Sequence, residues 1–269
     1  MPSKTSSQTK EPILKQRIVV TQRADLAAPL VALLKKCGAQ VLQVPVTKWT
    51  PPPNLSQFDK MLAMAKLHDW LLFSNPHAVR FFFKRYLELF GNFQGLANVR
   101  MGAYGPMTGR TLLDMRLKPV AISANHKTRL IVDAIRKAGP VDEKHFLVIM
   151  GDPKRAVENV PEALEDLGAH VEILQGYAVE METRDLTGDA NDLLKNGADW
   201  ILFSCALAIK HFNRRFDIKS LLTAFPKIRF AVTNTTLCKS LEKTGAIPTV
   251  VARPQDPNDL IDKIRECCK

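Results

Sequence analysis

The stretch "DWLLFSNPHAVRFF" at residues 69–82 returns as "DWILFSCALAIKHF" at residues 199–212. Four further segments repeat in the same order at an offset of 129 or 130 positions: 17–22 with 146–151, 37–41 with 167–171, 99–113 with 228–242, and 128–137 with 257–266. One such echo would be weak evidence, but five at one offset indicate that the whole chain is an internal duplication.

The duplicated unit has the alternating pattern of an α/β protein. In the first copy the pattern predicts strands at 17–21, 40–45, 70–73, 99–103 and 119–122, and helices at 25–36, 55–67, 76–90, 107–115 and 127–138. Strands separated by helices of this length form βαβ units with a parallel sheet. The sequence therefore predicts two similar flavodoxin-like α/β domains, each with a parallel sheet of about five strands.

Two domain divisions fit this pattern. A tandem division would fall in the turn at 137–145, "KAGPVDEKH". Alternatively, the chain leaves the first domain near 46, builds the second, and returns near 178, because the Pro-rich break at 48–54 and the polar break at 181–192 are equivalent points of the two copies. On the second interpretation, the first domain is 13–45 plus 181–269, the inserted domain is 49–175, a two-stranded linker joins them, and residues 1–12 are a disordered tail.

Composition excludes several classes of protein. The chain has 269 residues, 46% of them apolar and 24% charged, which is typical of a soluble globular protein. It lacks both an apolar run of the ~20 residues needed to cross a bilayer and an apolar signal segment at its N-terminus. We therefore expect a cytoplasmic protein with no membrane partner, and nothing in the sequence requires more than a monomer.

The net charge of +11 favours an anionic partner. The basic residues are spread along the chain, and no RNA-recognition signature or zinc finger is present, so a nucleic-acid partner is not expected. A diffuse basic surface that serves only solubility fits equally well at this point. A polycarboxylate or phosphate ligand stays open as the third interpretation.

No motif for a cofactor, metal or nucleophilic triad is visible. Neither G-x-G-x-x-G nor G-x-x-x-x-G-K-(S/T) nor G-x-S-x-G occurs, and the six His residues lack metal-binding spacing. The five cysteines are odd in number and contain no C-x-x-C, which predicts reduced thiols rather than disulfides or a zinc site. We therefore expect neither cofactor nor metal.

The candidate functional residues lie where strands end and helices begin. These turns are Ser74 with Asn75, Tyr104 to Thr108, Ser204 with Cys205, and Thr233 to Thr236. In an open parallel sheet such turns line the carboxyl edge, where ligands bind, and helix N-termini there offer unpaired N–H groups to anions. The alternative is structural, with Ser74 or Asn75 as a helix N-cap before Pro76. Tyr177, on the second crossing segment, either faces a ligand or serves packing.

Together these features resemble the uroporphyrinogen-III synthase family. Residues 69–82 are similar to its motif D-W-(L/I)-(I/V)-F-(T/S)-S-x-x-A-V-x-x-F, and "GAYGPMTGRTL" at 102–112 to G-x-(V/I)-G-x-x-T-A-x-x-L. Residues 148–177 resemble its run of strand, G-x-x-x-R, helix, G-A-x-V and crossing Tyr. The resemblance covers about 13 to 269. It implies two α/β domains joined by a two-stranded connector, with the active site in the cleft between them.

The resemblance implies a cofactor-independent lyase (a hydro-lyase) of porphyrin and heme biosynthesis. It would cyclise the linear tetrapyrrole hydroxymethylbilane to uroporphyrinogen III, with loss of water and inversion of the last pyrrole ring. Such a site must mainly hold a flexible octacarboxylate in one posture. Tyr177 would match the crossing Tyr and act as general acid on the departing hydroxyl.

The strand–helix turns supply the substrate-binding candidates, and position in the repeat suggests basic groups, Arg23 among them, for the carboxylates. The binding set is Ser74, Asn75, Tyr104, Thr108, Ser204, Cys205, Thr235, Thr236 and Arg23. The basic candidates are Arg23, Arg80, Arg110, Arg155, Lys210 and Lys239.

Two departures from the family pattern concern the second copy. Its turn reads "TNTTLC" at 233–238 where the family has G-P-(T/S)-T-A, so either Thr235 or Thr236 takes the Thr position. Because Asn tolerates a left-handed backbone, Asn234 in the Gly position is expected to preserve the turn. Cys205 replaces a small polar residue. These departures leave open an alternative function, a non-catalytic two-domain protein that binds an anionic small molecule such as a tetrapyrrole.

Overall fold

The computed structural model describes residues 13–153, 159–253 and 256–268. The N-terminal tail 1–12 and the basic candidate Arg155 lie outside the described residues. The described part of the chain forms short strands and helices that alternate as the sequence predicts. The strands are β1 Arg17–Val20, β2 Gln40–Gln43, β3 Thr47–Thr50, β4 Trp70–Phe73, β5 Arg100–Ala103, β6 Ala121–Ile122, β7 His145–Met150, β8 His170–Gln175, β9 Ala178–Met181, β10 Trp200–Phe203, β11 Arg229–Val232 and β12 Val250–Val251.

The helices follow the strands along the chain. They are α1 Ala24–Lys36, α2 Leu55–Met64, α3 Pro76–Phe90, α4 Pro106–Asp114, α5 Thr128–Ala138, α6 Val160–Glu165, α7 Asp189–Asn196, α8 Ala206–Arg215, α9 Leu221–Ala224, α10 Cys238–Glu242 and α11 Pro257–Glu266. The predicted bounds of β4 and α3 agree with the structure residue for residue. The predicted helix at 55–67 is instead the α-helix α2 followed by a 3₁₀ turn, Ala65–Leu67.

The chain folds into two compact units. One, called here the terminal unit, contains the residues up to Lys48 and those from Glu180 onward; the other, the inserted unit, is Trp49–Val179. The chain passes from one to the other along β3 and back along β9, and these two strands pair in a two-stranded sheet.

Each unit contains a five-stranded parallel sheet, which confirms the predicted fold class. In the terminal unit the strand order is β12-β11-β10-β1-β2, the flavodoxin-like arrangement, and in the inserted unit it is β6-β5-β4-β7-β8. The second order is the first with β7 and β8 in the places of β1 and β2. Each sheet is therefore assembled from two strands of one sequence copy and three strands of the other.

Both sheets are covered on their two faces by apolar side chains. In the inserted unit Leu71 and Phe73 of β4 point into one core cluster, and Trp70 and Leu72 into the other. β10 in the terminal unit divides its side chains in the same way. This burial on both faces explains why the central strands read as continuous apolar runs rather than as alternating patterns.

The repeated Asp-Trp pair is part of the scaffold. Trp70 and Trp200 are fully buried, and the guanidinium groups of Arg100 and Arg229 lie over their rings at 5.6 and 4.3 Å. The register repeats as well, since Trp70 lies opposite Arg100 and Trp200 opposite Arg229 in the parallel ladders. The Trp of the opening motif is thus explained by packing within each sheet.

Candidate functional site

The turn that follows β4 brings together three of the candidate residues. Asn75 is the N-cap of α3, with extended backbone (φ −165°), and Pro76 takes the first helical position. The side-chain amide of Asn75 donates hydrogen bonds to the phenolic oxygen of Tyr177 and to Oγ of Ser74, each at 2.9 Å. Ser74, Asn75 and Tyr177 therefore form one polar cluster, called here the Asn75 cluster, although 102 positions separate Asn75 from Tyr177.

The helix cap fixes the orientation of the Asn75 side chain. Its Oδ1 accepts hydrogen bonds from the backbone N–H groups of His77 and Ala78, both at 3.0 Å. Backbone N–H groups only donate, so the oxygen must face them and the NH₂ group must face Tyr177. The Asn75 amide thereby uses both of its hydrogens and accepts two hydrogen bonds within the protein.

Tyr177 is held by aromatic neighbours at the end of β8. It is 8% exposed, its ring stacks on Phe81 with centroids 5.9 Å apart, and Trp49 and His77 complete the surroundings at 6.1 and 6.0 Å. Burial raises the pKa of the Tyr177 phenol above its ordinary value, and the hydrogen bond from Asn75 opposes that rise. The phenol is therefore protonated at neutral pH.

The backbone at Gly151 also approaches the Tyr177 hydroxyl closely. A Cβ atom placed on Gly151, which follows β7, would lie 3.0 Å from the phenolic oxygen and 3.1 Å from the carbon that carries it. Any side chain at this position would push on the phenol. Reasoning from sequence did not single out Gly151 as a neighbour of Tyr177, although it lies in the quoted family segment as the Gly of G-x-x-x-R.

Tyr104 and Thr108 lie on the next turn, between β5 and α4. The Thr108 hydroxyl is fully buried and donates to the carbonyl oxygen of Tyr104 at 2.8 Å, a bond within the first turn of the helix. The Tyr104 ring belongs to the core cluster on the opposite face of the sheet from Tyr177, and it meets His126 edge to face. The structure thus joins Tyr104 to Thr108 but assigns Tyr104 and Tyr177 to different faces.

Gly105 in this turn has a left-handed backbone, with φ of 92°, and donates its N–H to the buried Oγ of Ser123 at 2.8 Å. A Cβ atom here would meet the His126 ring at 2.6 Å. Glycine is therefore favoured by the left-handed backbone, and any side chain here would also displace the exposed His126 ring.

The corresponding turn of the terminal unit, after β10, lacks the polar cluster. Cys205 stands where Asn75 does, is exposed, and makes no side-chain hydrogen bond to cap α8. Ser204 is half-buried, and its carbonyl oxygen accepts from the Thr233 hydroxyl at 3.4 Å. Ser204 and Thr233 are thus neighbours, whereas Cys205 has no equivalent of the contact with Tyr177.

The backbone at Asn234, where the family pattern has Gly, is not left-handed as expected. Asn234 is extended (φ −168°), and its side chain accepts from the backbone N–H of Leu237 and from the Thr236 hydroxyl, at 3.2 and 2.5 Å. The Asn side chain caps a 3₁₀ turn, Thr235–Leu237, and this cap holds the extended backbone that an N-cap adopts. Thr235 and Thr236 are both exposed, unlike the buried Thr108.

The basic candidates that the structure describes lie on the surface or in local ion pairs, and none of them is in the Asn75 cluster. Arg23 precedes α1 and forms two hydrogen bonds to the carboxylate of Asp25, at 2.9 and 2.6 Å. Arg110 pairs with Asp114 across one turn of α4, and both side chains are largely exposed. Arg80, Lys210 and Lys239 are exposed. The ion pairs of Arg23 and Arg110 are thus local, each with a carboxylate of the adjoining helix.

Two properties of the described residues bear on other kinds of function. No helix among them is long and apolar enough to cross a membrane. In the same part of the chain no group of three or more His, Cys, Asp and Glu side chains is arranged to hold a metal ion.

A family model described as "Uroporphyrinogen-III synthase HemD" matches residues 28–262, which is most of the chain. The chain belongs to the uroporphyrinogen-III synthase family. A porphyrin biosynthesis protein HemD of Ruminiclostridium josui is 26% identical over 109 residues, 40% of this chain and 21% of that relative. A uroporphyrinogen-III synthase of Synechococcus elongatus is 29% identical over 70 residues, 26% of each chain. The alignments therefore span about a quarter of the length of these curated relatives or less.

Solved structures of uroporphyrinogen-III synthases share the fold. The enzyme of Helicobacter pylori matches with a TM-score of 0.60 at 18% identity, covering 94% of this chain and all of that one. A mutant of the Thermus thermophilus enzyme matches with a TM-score of 0.59 at 17% identity, covering 94% and 98%. At these identities the likeness carries the fold alone.

Proposed function

We propose that the chain is a uroporphyrinogen-III synthase that cyclises hydroxymethylbilane, with loss of water and inversion of the last pyrrole ring. Family membership over residues 28–262 supports the reaction class. The observation that carries the proposal is the Asn75 cluster, in which a buried, protonated phenol lies beside a Ser hydroxyl. The reaction needs such a proton donor because its leaving group departs as water.

Tyr177 acts as the general acid in this proposal. Its phenolic proton passes to the hydroxyl of the substrate's hydroxymethyl group while the C–O bond breaks and water leaves. The methylene carbon then bonds to the terminal pyrrole ring at the α-carbon that already carries the bridge to the third ring. That bridge bond breaks and re-forms at the unsubstituted α-carbon of the same ring, which loses a proton as the macrocycle closes with the ring inverted. That proton restores the phenol, so the overall change is cyclisation with release of one water and no redox step.

The remaining task is to hold a polycarboxylate in the posture from which the inverted ring closes. The net charge of +11 favours such a ligand. We propose that the Ser74 hydroxyl and the turns at Tyr104–Thr108, Ser204–Cys205 and Thr235–Thr236 take part in binding, with Arg23 as a basic contributor. The positive ends of α3, α4 and α8 lie at these turns and favour carboxylates.

Several finer features belong to the same proposal. The enzyme would be a lyase, because a C–O bond breaks with elimination of water. It would work without a cofactor, since the steps proposed above are proton transfers and exchanges of C–O and C–C bonds that the phenol of Tyr177 can assist. We further propose a monomer that acts in the cytoplasm on a linear tetrapyrrole, and light scattering of the purified protein with and without product tests the monomer.

One assay tests the proposed function directly. Purified protein is incubated with hydroxymethylbilane, the products are oxidised, and the two isomers are resolved. We expect the inverted isomer to form faster than the symmetrical isomer forms spontaneously. If only the symmetrical isomer appears, at the uncatalysed rate, the chain is not a synthase, and binding of a tetrapyrrole without catalysis becomes the function to test.

Substitution of the phenol tests its role. Tyr177→Phe should lower turnover by roughly tenfold, less than the about 10²–10⁴-fold typical of general acid catalysis because the leaving group departs readily, and leave the far-UV circular dichroism spectrum unchanged. Tyr86→Phe is the matched control, because Tyr86 is also buried in the inserted unit and packs on Phe82 rather than at the Asn75 cluster. Wild-type turnover in Tyr177→Phe would remove Tyr177 from the mechanism.

A further inference from the structure

We infer that Asn75 is a positioning residue that directs the protons of Ser74 and Tyr177 toward the substrate, an inference that rests on the proposed function. Its amide donates one hydrogen to each of the two hydroxyl oxygens, both at 2.9 Å. An O–H group whose oxygen accepts from Asn75 keeps its own proton for another acceptor. The sequence pattern allowed Asn75 to be a direct ligand, but the geometry points to a residue that acts through its two neighbours.

The α3 cap makes this directing effect obligatory. If the Asn75 amide were flipped, its oxygen would accept the Tyr177 proton, but its NH₂ group would then face two backbone N–H groups at 3.0 Å. Four hydrogens would be directed at one another, and the first turn of α3 would lose its cap. The cap thus selects the one amide orientation in which the phenolic proton is free for the substrate.

The same contact stabilises the product of proton transfer. After Tyr177 gives up its proton, the phenolate still accepts the hydrogen bond from Asn75, and hydrogen bonds to a charged form favour that form. The direction of the pKa contribution of Asn75 agrees with this, because it opposes the rise caused by burial. Asn75 therefore assists both the orientation of the proton and its departure.

This device is particular to one of the two copies. The family motif given above has Ser at the position of Asn75, and a Ser side chain carries no NH₂ group. In the terminal unit the corresponding Cys205 likewise has no amide and makes no capping bond. The two copies of the motif differ at the position whose side chain orients the hydroxyl protons, so the inference concerns the inserted unit alone.

Asn75→Asp separates the positioning role from the capping role. The substituted carboxylate still accepts from the two backbone N–H groups of α3, and a negative charge at a helix N-terminus is favourable. Its second oxygen, however, accepts the Tyr177 proton instead of donating to the phenol. We expect an unchanged or higher melting temperature, turnover lower by up to about tenfold, and a Tyr177 phenol that ionises at higher pH.

The ionisation is followed by ultraviolet absorbance. The chain contains three tyrosines, so subtracting the titration of Tyr177→Phe isolates the Tyr177 step. Asn54→Asp is the matched control: Asn54 caps α2 in the same unit through the same kind of bond, to Gln57, and is exposed. It should change neither turnover nor the Tyr177 titration.

A double variant decides whether Asn75 acts through Tyr177. In the Tyr177→Phe background, Asn75→Asp should lower turnover by less than about twofold, because the proton donor is gone and only the contact with the Ser74 hydroxyl is left to disturb. Full tenfold loss in that background, or wild-type turnover of Asn75→Asp alone, would overturn the inference and leave the synthase function standing. The titration needs no activity, so an unmoved Tyr177 step overturns the contact even if the chain is not a synthase.

Discussion

The carboxylate of Asp69 accepts a hydrogen bond from the backbone N–H of His145 at 2.9 Å, and Asp199 accepts one from the N–H of Arg17 at 2.7 Å. Each bond joins the residue before a central strand to the first residue of the neighbouring strand. In both sheets that neighbour comes from the other sequence copy. In each unit, the Asp of the repeated motif therefore links a strand of one sequence copy to a strand of the other by a hydrogen bond.

Loss of this bond should weaken the unit that contains it. We expect Asp69→Ala to lower the free energy of unfolding by about 1 to 2 kcal/mol, because a backbone N–H loses a charged acceptor. Urea denaturation at pH 7 measures the change. The hydrogen bond from His145 and then the Lys144 ammonium lower the pKa of Asp69. The stabilisation is therefore present above the unfolded pKa and lost as the pH falls through the folded one, so the effect should shrink in acid.

Asp114→Ala is the control for this substitution. Asp114 pairs with Arg110, and both side chains are more than half exposed, so its loss should cost less than about 0.5 kcal/mol. Equal decreases in the free energy of unfolding for Asp69→Ala and Asp114→Ala would show that the hydrogen bond between Asp69 and His145 stabilises the fold no more than an exposed ion pair.

Glu182 gives a second, pH-dependent prediction in the terminal unit. It is 4% exposed, and the Arg184 guanidinium donates to both of its oxygens, at 2.9 and 2.7 Å. This pairing lowers the pKa of Glu182 to about 2. A lowered pKa stabilises the fold above the ordinary carboxyl pKa and loses that effect as the pH falls toward 2. The urea midpoint should therefore fall between pH 5 and pH 2.

Arg184→Met should remove most of that dependence. The carboxylate of Glu182 loses its charged partner, so its pKa is no longer strongly lowered. As the pH is decreased, Glu182 is therefore protonated earlier than in the wild type. The variant should be less stable than wild type at pH 7, and the difference should narrow in acid, where Glu182 is neutral. Arg110→Met, which breaks an exposed pair, is the control; a constant difference between pH 7 and pH 3 would contradict the assignment.

Most of the fold follows from local signals in the sequence. The bounds of β4 and α3 were predictable because an apolar run, a capping Asn and Pro76 in the first helical position all act within a few residues. The strand order was not predicted, because the equivalent break points in the two copies left two divisions of the chain open. Asn234 was expected to have a left-handed backbone but is extended. Its side chain accepts a hydrogen bond from the N–H of Leu237 and caps the 3₁₀ turn, and an N-cap residue is extended.

The three residues of the Asn75 cluster were candidates from the sequence, but their contacts with one another were not predicted. Ser74, Asn75 and Tyr177 were each candidates, and a cap and a ligand were alternatives for Asn75. The structure shows that the two functions of the amide are divided between its atoms, with the oxygen on α3 and the nitrogen on Tyr177. Sequence spacing does not reveal a contact made by one side-chain nitrogen across 102 positions.

Cys205→Ser should stabilise the terminal unit. Cys205 occupies the N-cap position of α8 with extended backbone but makes no capping bond. A Ser hydroxyl accepts from a backbone N–H of the first turn, so we expect a gain of about 0.5 to 1 kcal/mol in the free energy of unfolding. Cys267→Ser, another exposed cysteine but at the C-terminal end of α11, should change stability little. Identical changes in the two variants would argue against a cap effect.

Gly151→Ala tests the packing of the Tyr177 hydroxyl against the backbone that follows β7. The backbone of Gly151 is not left-handed, so Ala is allowed conformationally, but its Cβ would lie 3.0 Å from the phenolic oxygen. Tyr177 is stacked on Phe81 and cannot move away without loss of that contact. The phenol should shift from Asn75, and turnover should fall several-fold with little change in melting temperature.

Gly95→Ala is the matched control for this prediction. Its Cβ would press on the hydroxyl of another tyrosine in the same unit, Tyr86, at 2.8 Å. The steric change is therefore similar, but Tyr86 lies in the core around Phe82 and Phe93 and has no part in the proposed reaction. Gly95→Ala should affect stability at least as much as Gly151→Ala and turnover far less. If both variants lose turnover equally, the loss reflects general loosening of the inserted unit rather than displacement of Tyr177.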